Sequence, residues 1–503
     1  MKQKRLFVLL IILVLSLCLM ASLALAQSFD SMKKKVSEYT LDNGMKFIVM
    51  ERHDAPVASF HVYANVGAAN EVNGITGISH LLEHMAFKGT KTIGTKDYDA
   101  EKKIFEQMDK LYAEIISTKY GLNPDTAKLS ALNTKFTALQ DEAKKYVINN
   151  ELFDLFMQQG DAGINAYTSN DATQYINSLP SNRLEFWMSV TSDRFLNPVF
   201  REFYKEKKVV MEERRLSLEN QPIGRLMEDF LASAFKAHPY HHSVVGHMSD
   251  LLKITRQDVA NYFKEYYQAR NLTVAIVGDV KAKEVFKLAK IYFGRLPKGP
   301  APRPVRTVEP EQWGERIVKV SVQSQPILLV GYHRPAETDP DDAALSALAN
   351  IIGQGRSSRL WESLVKDKKI AIQTGTFNGF PGTKFPNLVA FVAVPAKNHT
   401  NDECLELIEK EIERIKNEPV TAEELTKFKQ STKKGVIDGM KQNASIASTL
   451  TYFEVIHGDW GKAFDQITEI EKVTPEDIMR VAKKYLTVKN RTIGEIVPEN
   501  EAE

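Results

Sequence analysis

Hydrophobic and polar positions follow two different periods along the chain, one typical of strands and one typical of helices. Short apolar runs suited to buried strands occur at residues 46–50, 57–66 and 388–393. Between these runs, apolar residues recur every three or four positions, which is the spacing of one face of a helix. This mixture predicts an α+β protein in which helices cover sheets.

Two neighbouring segments have a helical period that does not recur later in the chain. Apolar residues are spaced three or four positions apart in residues 100–120 and again in residues 126–148. The stretch Gly-Leu-Asn-Pro-Asp at 121–125 has the composition of a turn. We therefore predict an antiparallel helical hairpin at about 100–150, serving either as a structural insertion or as an arm that gates a substrate or partner.

Part of the first half of the chain is repeated in the second half. The helix start Thr-x-x-Asp at Thr255 recurs at Thr474, and the asparagines that follow, Asn271 and Asn490, have the same offset of 219 residues. A strand-like run comes after each asparagine. This repeat predicts two homologous halves, each built of sheets and covering helices.

A polar, Pro-rich stretch at residues 297–304 separates these halves. Such composition is typical of a stiff linker between domains. We expect an N-terminal half at 27–296, a linker at 297–315 and a C-terminal half at 316–503.

The first residues have the pattern of an export signal. Basic residues at positions 2, 4 and 5 precede an apolar run over residues 6–26, which ends in Ala-Leu-Ala. We expect residues 1–26 to be a cleaved signal peptide, which would place the protein in the periplasm or outside the cell. The alternative is a retained membrane anchor, since the run is long enough to cross a bilayer.

Composition excludes several classes of site and partner. The chain has 66 basic and 64 acidic residues, so it lacks the excess of basic residues that is typical of nucleic-acid-binding proteins. After removal of the leader only Cys404 remains, so neither an internal disulfide nor a cysteine zinc site is expected. A metal ion must therefore be bound by histidines and carboxylates.

The stretch Ile78-Ser-His80-Leu-Leu-Glu83-His84 carries the most informative chemistry. On a helix, residues four apart lie on one face with Cβ atoms about 5–6 Å apart, so His80 and His84 can bind one metal ion. Glu83 falls near the same face, where its carboxylate can take a proton from water. The order His-x-x-Glu-His is the inverse of the commoner His-Glu-x-x-His zinc motif.

A catalytic zinc ion needs three protein ligands and one open position, so a third ligand must come from elsewhere. A later helical stretch contains Glu206 and Glu213, which are two helical turns apart and share a face. Val209 and Val210 are predicted to anchor this helix on the core. Glu212, beside Glu213, is an alternative ligand.

These motifs resemble the inverted-zinc-motif metallopeptidases of family M16, which include pitrilysin, insulin-degrading enzyme and the β subunit of the mitochondrial processing peptidase. The resemblance covers most of residues 38–495. It includes the stretches Leu41-Asp-Asn-Gly, Asn165-Ala-Tyr-Thr168, His238-Pro-Tyr240 and Gly278-Asp279. It implies a zinc endopeptidase in which two α+β halves face each other as a clamshell.

The resemblance also implies roles for single residues. One Zn²⁺ per chain would be bound by His80, His84 and Glu213, with Glu83 as the catalytic base. Glu206 would orient the site without touching the metal. Residues Asn165, Ala166 and Thr168 would form an edge strand that binds the backbone of an extended peptide substrate.

The second half departs from the family pattern. It has no His-x-x-Glu-His, and its matching helix reads Leu-Ala-Asn-Ile-Ile-Gly at 348–353. After this helix and a Gly-rich turn, active members often carry an arginine and a tyrosine. The corresponding positions in this chain are Val365 and Ile372. We therefore expect a heterodimer with an M16-like subunit that supplies these two side chains. A homodimer, or a catalytically weak structural subunit of a processing complex, is the alternative.

Overall fold

The computed structural model describes residues 31–498, so the predicted signal peptide at 1–26 lies outside the described residues. Within them, the strands in chain order are β1 (Val36–Thr40), β2 (Lys46–Glu51), β3 (Val57–Ala64), β4 (Asn165–Thr168), β5 (Thr173–Pro180), β6 (Leu272–Gly278), β7 (Arg316–Ser321), β8 (Ile327–Arg334), β9 (Ala371–Phe380), β10 (Asn387–Pro395) and β11 (Arg491–Val497). These include the three strand-like runs predicted from the apolar pattern.

The α-helices of the described residues cover the sheets formed by these strands. In chain order they are α1 (Ile78–Met85), α2 (Tyr98–Tyr120), α3 (Thr126–Ala143), α4 (Glu151–Gln158), α5 (Leu184–Leu196), α6 (Phe203–Arg214), α7 (Pro222–Ala234), α8 (Met248–Lys253), α9 (Arg256–Tyr266), α10 (Ala282–Tyr292), α11 (Asp342–Gly353), α12 (Asn401–Asn417), α13 (Ala422–Gly439), α14 (Asn443–His457), α15 (Lys462–Glu471) and α16 (Pro475–Tyr485).

Two sheets of corresponding topology form the two halves. The first has the strand order β1-β2-β6-β3-β5-β4, and the second has the order β7-β11-β8-β10-β9. The parallel pairs β2/β6 and β7/β11 occupy corresponding places, as do the edge strands β4 and β9. The predicted repeat is confirmed, because α9 and α16 both begin with a reciprocal Thr-x-x-Asp cap, at Thr255 and Thr474.

The halves are interlocked by an exchange of helices. Helix α14 of the second half packs on strands β3 and β6 of the first sheet, where Ile446 and Leu450 are fully buried. Helix α7 of the first half packs on strands β7 and β11 of the second sheet through Leu226 and Phe230. Each sheet therefore has one face covered by its own half and the other face covered by the opposite half.

The predicted hairpin is present as α2 and α3, which begin after the side-chain caps of Asp97 and Asp125. Helix α2 contacts helix α6 through side chains. Asp109 accepts a hydrogen bond from Tyr204 Oη at 3.0 Å, and Tyr112 Oη accepts one from Lys207 Nζ at 2.7 Å. These contacts favour the structural alternative, in which the hairpin supports α6.

Residues 297–315 connect the halves without forming a helix or a strand. The carboxylate of Glu309 accepts hydrogen bonds from the backbone N–H groups of residues 236–238, at 2.7–2.9 Å, so this connection is held against the first half. Cys404 is buried and unpaired. Among residues 31–498, no helix has the length and apolarity needed to cross a membrane.

Candidate metal centre

Helix α1 carries the His-x-x-Glu-His motif and begins at a tight turn. Gly77, the residue before the helix, has a φ of +87°, a conformation that suits glycine. The buried carboxylate of Glu71 accepts hydrogen bonds from the N–H groups of Gly77 at 2.7 Å and Ser79 at 2.8 Å. The cap satisfies N–H groups that have no partner within the helix, and burial raises the pKa of Glu71 to about 8. Glu71 therefore fixes the start of the metal-binding helix.

Helix α6 lies against α1 and presents Glu206 and Glu213 towards it. Val210 is fully buried and anchors the helix, as predicted. The expectation for Val209 was wrong, because its side chain is 45% exposed. Helical spacing places two adjacent residues 100° apart, and the core covers only one of these two directions.

Three side chains meet between α1 and α6. His80 Nε2 and His84 Nε2 each lie 3.6 Å from an oxygen of Glu213. One ligand atom from each of the three residues lies within 4.8 Å of the other two. Glu212, the alternative ligand, points away and pairs with Arg215. The geometry thus brings together the predicted set of His80, His84 and Glu213.

This arrangement fits a zinc ion on two grounds. Two imidazoles and one carboxylate are a donor set of known catalytic zinc sites. Ligand atoms about 2.0–2.1 Å from a tetrahedral ion lie roughly 3.3–3.4 Å apart, and each histidine Nε2 lies 3.6 Å from a Glu213 oxygen. Among residues 31–498, no other group of three or more His, Cys, Asp or Glu side chains has ligand atoms close enough together to hold a metal ion. His80, His84 and Glu213 are therefore the residues that would bind the ion.

Glu83 lies on the same helix and contacts the edge of the sheet. Thr168 Oγ1 donates a hydrogen bond to Glu83 Oε2 at 2.7 Å. Burial raises the pKa of Glu83, while the Thr168 hydroxyl and the nearby His84 oppose this rise. Burial also lowers the pKa of His80 to about 4, which keeps its imidazole neutral, as metal binding requires.

Glu206 lies between His84 and a lysine. Its carboxylate is 3.6 Å from His84 Nδ1 and 2.6 Å from Lys88 Nζ. Burial would raise the pKa of Glu206, but His84 and Lys88 outweigh it and hold this pKa at about 2. Burial lowers the pKa of His84, but Glu206 and the charges of Glu83 and Glu213 raise it overall. Glu206 is thus ionised and orients the ring of His84.

Strand β4 is the edge of the first sheet, as predicted for Asn165, Ala166 and Thr168. The β4–β5 hairpin closes with Ser169 N–H donating to Ala172 O at 2.8 Å. Antiparallel alternation from this pair leaves the backbone groups of Ala166 and Thr168 facing the free edge. The side-chain oxygen of Asn165 accepts a hydrogen bond from Ala166 N at 2.9 Å. This edge lies beside Glu83 and can accept another strand.

The second half holds the β4–β5 turn in place. The Asp171 carboxylate accepts hydrogen bonds from the backbone N–H groups of Thr383 at 2.8 Å and Lys384 at 3.1 Å. Asn170 Nδ2 donates to Pro381 O at 3.1 Å. The half without the metal motif therefore positions the edge strand of the half that has it.

The second half adds no comparable polar groups at the positions that depart from the family pattern. Val365 is partly buried against the second core, and Ile372 in β9 is 55% exposed. Neither side chain can donate a hydrogen bond.

Sequence reasoning missed two residues of the site, Glu71 and Lys88. Lys88 is four residues beyond His84, a spacing that could have drawn attention to it. Glu71 belongs to a loop before the helix, so only the folded chain brings its carboxylate to the Gly77 and Ser79 N–H groups.

Comparison with protein families gives two matches that together span most of the chain. A model of the insulinase family, peptidase family M16, matches residues 46–124 and 135–247. A model of the peptidase M16 inactive domain matches residues 253–432. The interruption at 125–134 falls in the hairpin, between the end of α2 and the middle of α3.

Similar proteins cover nearly the same length. The zinc protease PqqE of Helicobacter pylori is 27% identical over 479 residues, which is 94% of this chain and 95% of that protein. A probable mitochondrial-processing peptidase subunit beta of Arabidopsis thaliana is 23% identical, over 91% of this chain and 78% of that protein. An uncharacterized zinc protease, YmxG of Bacillus subtilis, is 21% identical over 90% of this chain and 96% of that protein.

Solved structures share the architecture. A protease from Helicobacter pylori superposes with a TM-score of 0.76 at 26% identity, and the superposition covers 92% of this chain and 100% of that protease. The M16 inactive domain protein of Pseudomonas fluorescens gives a TM-score of 0.71 at 18% identity, over 92% and 98% of the two chains. The predicted two-half α+β fold is confirmed.

Proposed function

Because this chain belongs to the insulinase family of peptidases, M16, we propose that it is a zinc-dependent endopeptidase that hydrolyses extended or unfolded peptides. Relatives named as zinc proteases support this at 21–27% identity. The observation that carries the proposal is the meeting of His80, His84 and Glu213 beside the buried Glu83. One Zn²⁺ per chain would be held by the three ligands.

Glu83 is the group that moves protons. When bound, zinc supplies a Lewis acid that polarises the scissile carbonyl and lowers the pKa of water. The Glu83 carboxylate takes a proton from the attacking water and delivers it to the nitrogen of the leaving amine. Burial makes this carboxylate a stronger base, and the Thr168 hydroxyl holds it in one orientation.

Strand β4 is the proposed binding surface for the substrate backbone. A peptide that adds to its free edge would pair with the N–H and C=O groups of Ala166 and Thr168. In the structure the Ala166 N–H donates to Asn165 Oδ1. In the complex a carbonyl oxygen of the peptide would replace Asn165 Oδ1 as the acceptor of this N–H group. Because backbone groups make these bonds, the strand itself selects extended peptides and not a particular sequence.

Removal of the base tests the mechanism. We expect Glu83→Gln to retain zinc and to lose at least about a thousandfold of the hydrolysis rate, within the range of general acid–base catalysis. The measurements are cleavage of an unstructured fluorogenic peptide and zinc content by mass spectrometry. Glu212→Gln is the matched control and should keep both properties. Wild-type cleavage by the Glu83→Gln variant would contradict the mechanism.

We propose that full activity requires a second, M16-like subunit that carries the arginine and tyrosine. The support is the pair Val365 and Ile372, which lack side-chain donors at the positions that resemble the family's Arg and Tyr. A homodimer is the alternative assembly. Full activity of the purified lone chain would contradict the two-subunit proposal, whereas activity that appears only on mixing would support it.

The second candidate function is a catalytically weak subunit of a processing complex. The observation that favours it is the match of residues 253–432 to a domain described as inactive. Intact His80, Glu83, His84 and Glu213 favour the peptidase. A chain that binds zinc but stays inactive with any M16-like partner would favour the second candidate.

We also propose that the protein acts after export, in the periplasm or outside the cell. The support is the sequence of residues 1–26, with basic residues followed by an apolar run and Ala-Leu-Ala. Cell fractionation with N-terminal sequencing tests this: a mature N-terminus at Gln27 would support cleavage, and an intact leader in the membrane fraction would support an anchor.

A further inference from the structure

We propose that a cavity on the face of β4 opposite the metal centre is a second substrate subsite, which holds a stretch of the peptide without basic side chains; this rests on the proposed peptidase function. The cavity has a volume of about 910 Å³ and lies between the two halves. This volume is near the upper end of the roughly 300–1,000 Å³ of ligand sites, and suits several residues better than one side chain.

The position of the cavity follows from the alternation of side chains along β4. Thr168 points to one face of the sheet and bonds Glu83. Tyr167, its neighbour, points to the other face, where it lines the cavity and donates a hydrogen bond to Gln174 Oε1 at 2.6 Å. A peptide added to the edge of β4 has the same alternation. Its successive side chains would therefore point to the metal centre and to the cavity in turn.

The second half forms the opposite wall, with helices α13 and α14. On α13 this wall includes Ser431 and Gly435, and on α14 it includes Ser448. Gly435 lies in the interior of α13, where glycine costs about 1 kcal/mol relative to alanine. A Cβ atom at this position would meet no atom within 4 Å, so no packing contact requires the glycine. Its absence of a side chain keeps the cavity wide.

The walls are suited to uncharged polar and aromatic groups. Ser431, Ser448 and Phe453 line the cavity. Glu424 also lines it, but its carboxylate is paired with Arg359 Nε at 2.7 Å. Lys427 is exposed on the same wall and adds a positive charge that disfavours basic peptides. The inferred occupant is therefore a segment of the substrate without basic side chains.

A bulky side chain placed in the cavity tests the subsite. The probe is a fluorescein-labelled, unstructured peptide that contains only Ala, Gln, Thr and Tyr. At about twelve residues it is long enough to pair along the whole of β4 and to place side chains on both faces of the sheet. Its binding to the zinc-loaded Glu83→Gln chain is measured by fluorescence anisotropy. We expect Gly435→Trp and, independently, Ser431→Trp in that chain to weaken binding at least about tenfold.

The matched control is Gln430→Trp, an exposed position of the same helix that does not line the cavity. It should leave the Kd of the probe unchanged. Substituting four probe residues by Lys should weaken its binding to the parent chain. The loss of affinity should be smaller in the Lys427→Gln variant of that chain.

Several outcomes would overturn the subsite. These are equal binding by the Gly435→Trp, Ser431→Trp and Gln430→Trp chains, absence of probe binding by the parent chain, or a changed oligomeric state with unchanged probe binding. The last result would assign the cavity to a subunit contact. Failure of the proposed function has a different signature: the wild-type chain, alone or with a partner, would not hydrolyse the probe although Gly435-sensitive binding persists.

Discussion

Thr168 connects the edge strand to the proposed catalytic base through one hydrogen bond of 2.7 Å. A bond to a charged acceptor contributes more than a neutral one, about 1.5–3 kcal/mol. We expect Thr168→Val, which removes the hydroxyl at nearly constant volume, to lower kcat by about tenfold or more and to leave zinc affinity unchanged. Steady-state kinetics and zinc titration measure the two effects.

Thr168→Ser is the control for this prediction, because it restores the hydroxyl. An unchanged kcat in Thr168→Val, or an equal loss in Thr168→Ser, would show that the bond to Glu83 does not orient the base.

Buried histidines make the stability of the protein sensitive to acid. His61 on β3 is fully enclosed by α14, with Nδ1 2.8 Å from Thr451 Oγ1, and burial lowers its pKa to about 4. The unfolded chain binds a proton near the ordinary pKa of about 6.5, so it holds more protons than the folded chain between these values. The stabilising contribution is complete above about pH 6.5 and is lost as the pH falls towards 4.

For His61 alone this corresponds to about 2 kcal/mol between pH 7 and pH 5. We expect the free energy of unfolding to fall between these pH values in the wild type, and to fall by about 2 kcal/mol less in His61→Gln. Urea unfolding at both pH values measures this. A pH response of His61→Gln equal to that of the wild type would contradict the assignment.

At this scale, helical periodicity was enough to predict which side chains share a face of one helix. His80 and His84 are four residues apart and Glu206 and Glu213 seven apart, so each pair had to share a face of its helix. The meeting of the two helices came from family resemblance and not from periodicity. Val209 was placed wrongly because spacing does not tell which of two adjacent apolar residues the core covers.

At the scale of elements, the hairpin is connected to the segment just before α6 by a buried ion pair. Arg201, just before α6, donates from Nε to Glu101 of α2 at 3.1 Å, and both side chains are almost inaccessible to solvent. Breaking a buried pair by neutralising one partner leaves an uncompensated charge, at a cost of about 3–5 kcal/mol.

We therefore expect Glu101→Gln to lower the free energy of unfolding by about 3 kcal/mol. Replacing both partners, in Glu101→Leu with Arg201→Met, should cost at least as much, because Arg201 also donates hydrogen bonds to backbone carbonyls of residues 88–93, which would lose their donor. Lys102→Gln, at an exposed neighbouring position, should change stability by less than about 0.5 kcal/mol. A Glu101→Gln effect as small as this would show that the pair does not hold the hairpin to α6.

The existence of elements was easier to predict than their partners. Strands, the hairpin and the Thr-x-x-Asp helix starts all have local signals, since periodicity and capping residues lie within a few positions. The exchange of α7 and α14 has no such signal. An apolar helix face indicates that the helix is covered, but it does not indicate which sheet covers it.

At the scale of the whole molecule, the exchange of helices makes each half depend on the other. Separated from the second half, the sheet of the first half would expose Ile48 and Ala275, which α14 and neighbouring helices cover. We expect heat unfolding to give one cooperative transition with equal calorimetric and van't Hoff enthalpies. Two resolved transitions, or a folded fragment 31–296 with native hydrogen-exchange protection, would contradict this.

The connection at residues 297–315 therefore does not determine whether the halves stay together. Packing of α14 and α7 across the two sheets provides the association, and the Pro-rich stretch only sets local concentration. Fragments ending and starting within residues 300–308, produced together in one cell, should assemble into a nicked protein that purifies as one species. Refolding of separately produced fragments with each other would then allow one half to be labelled isotopically while the other gives no signal in an NMR spectrum.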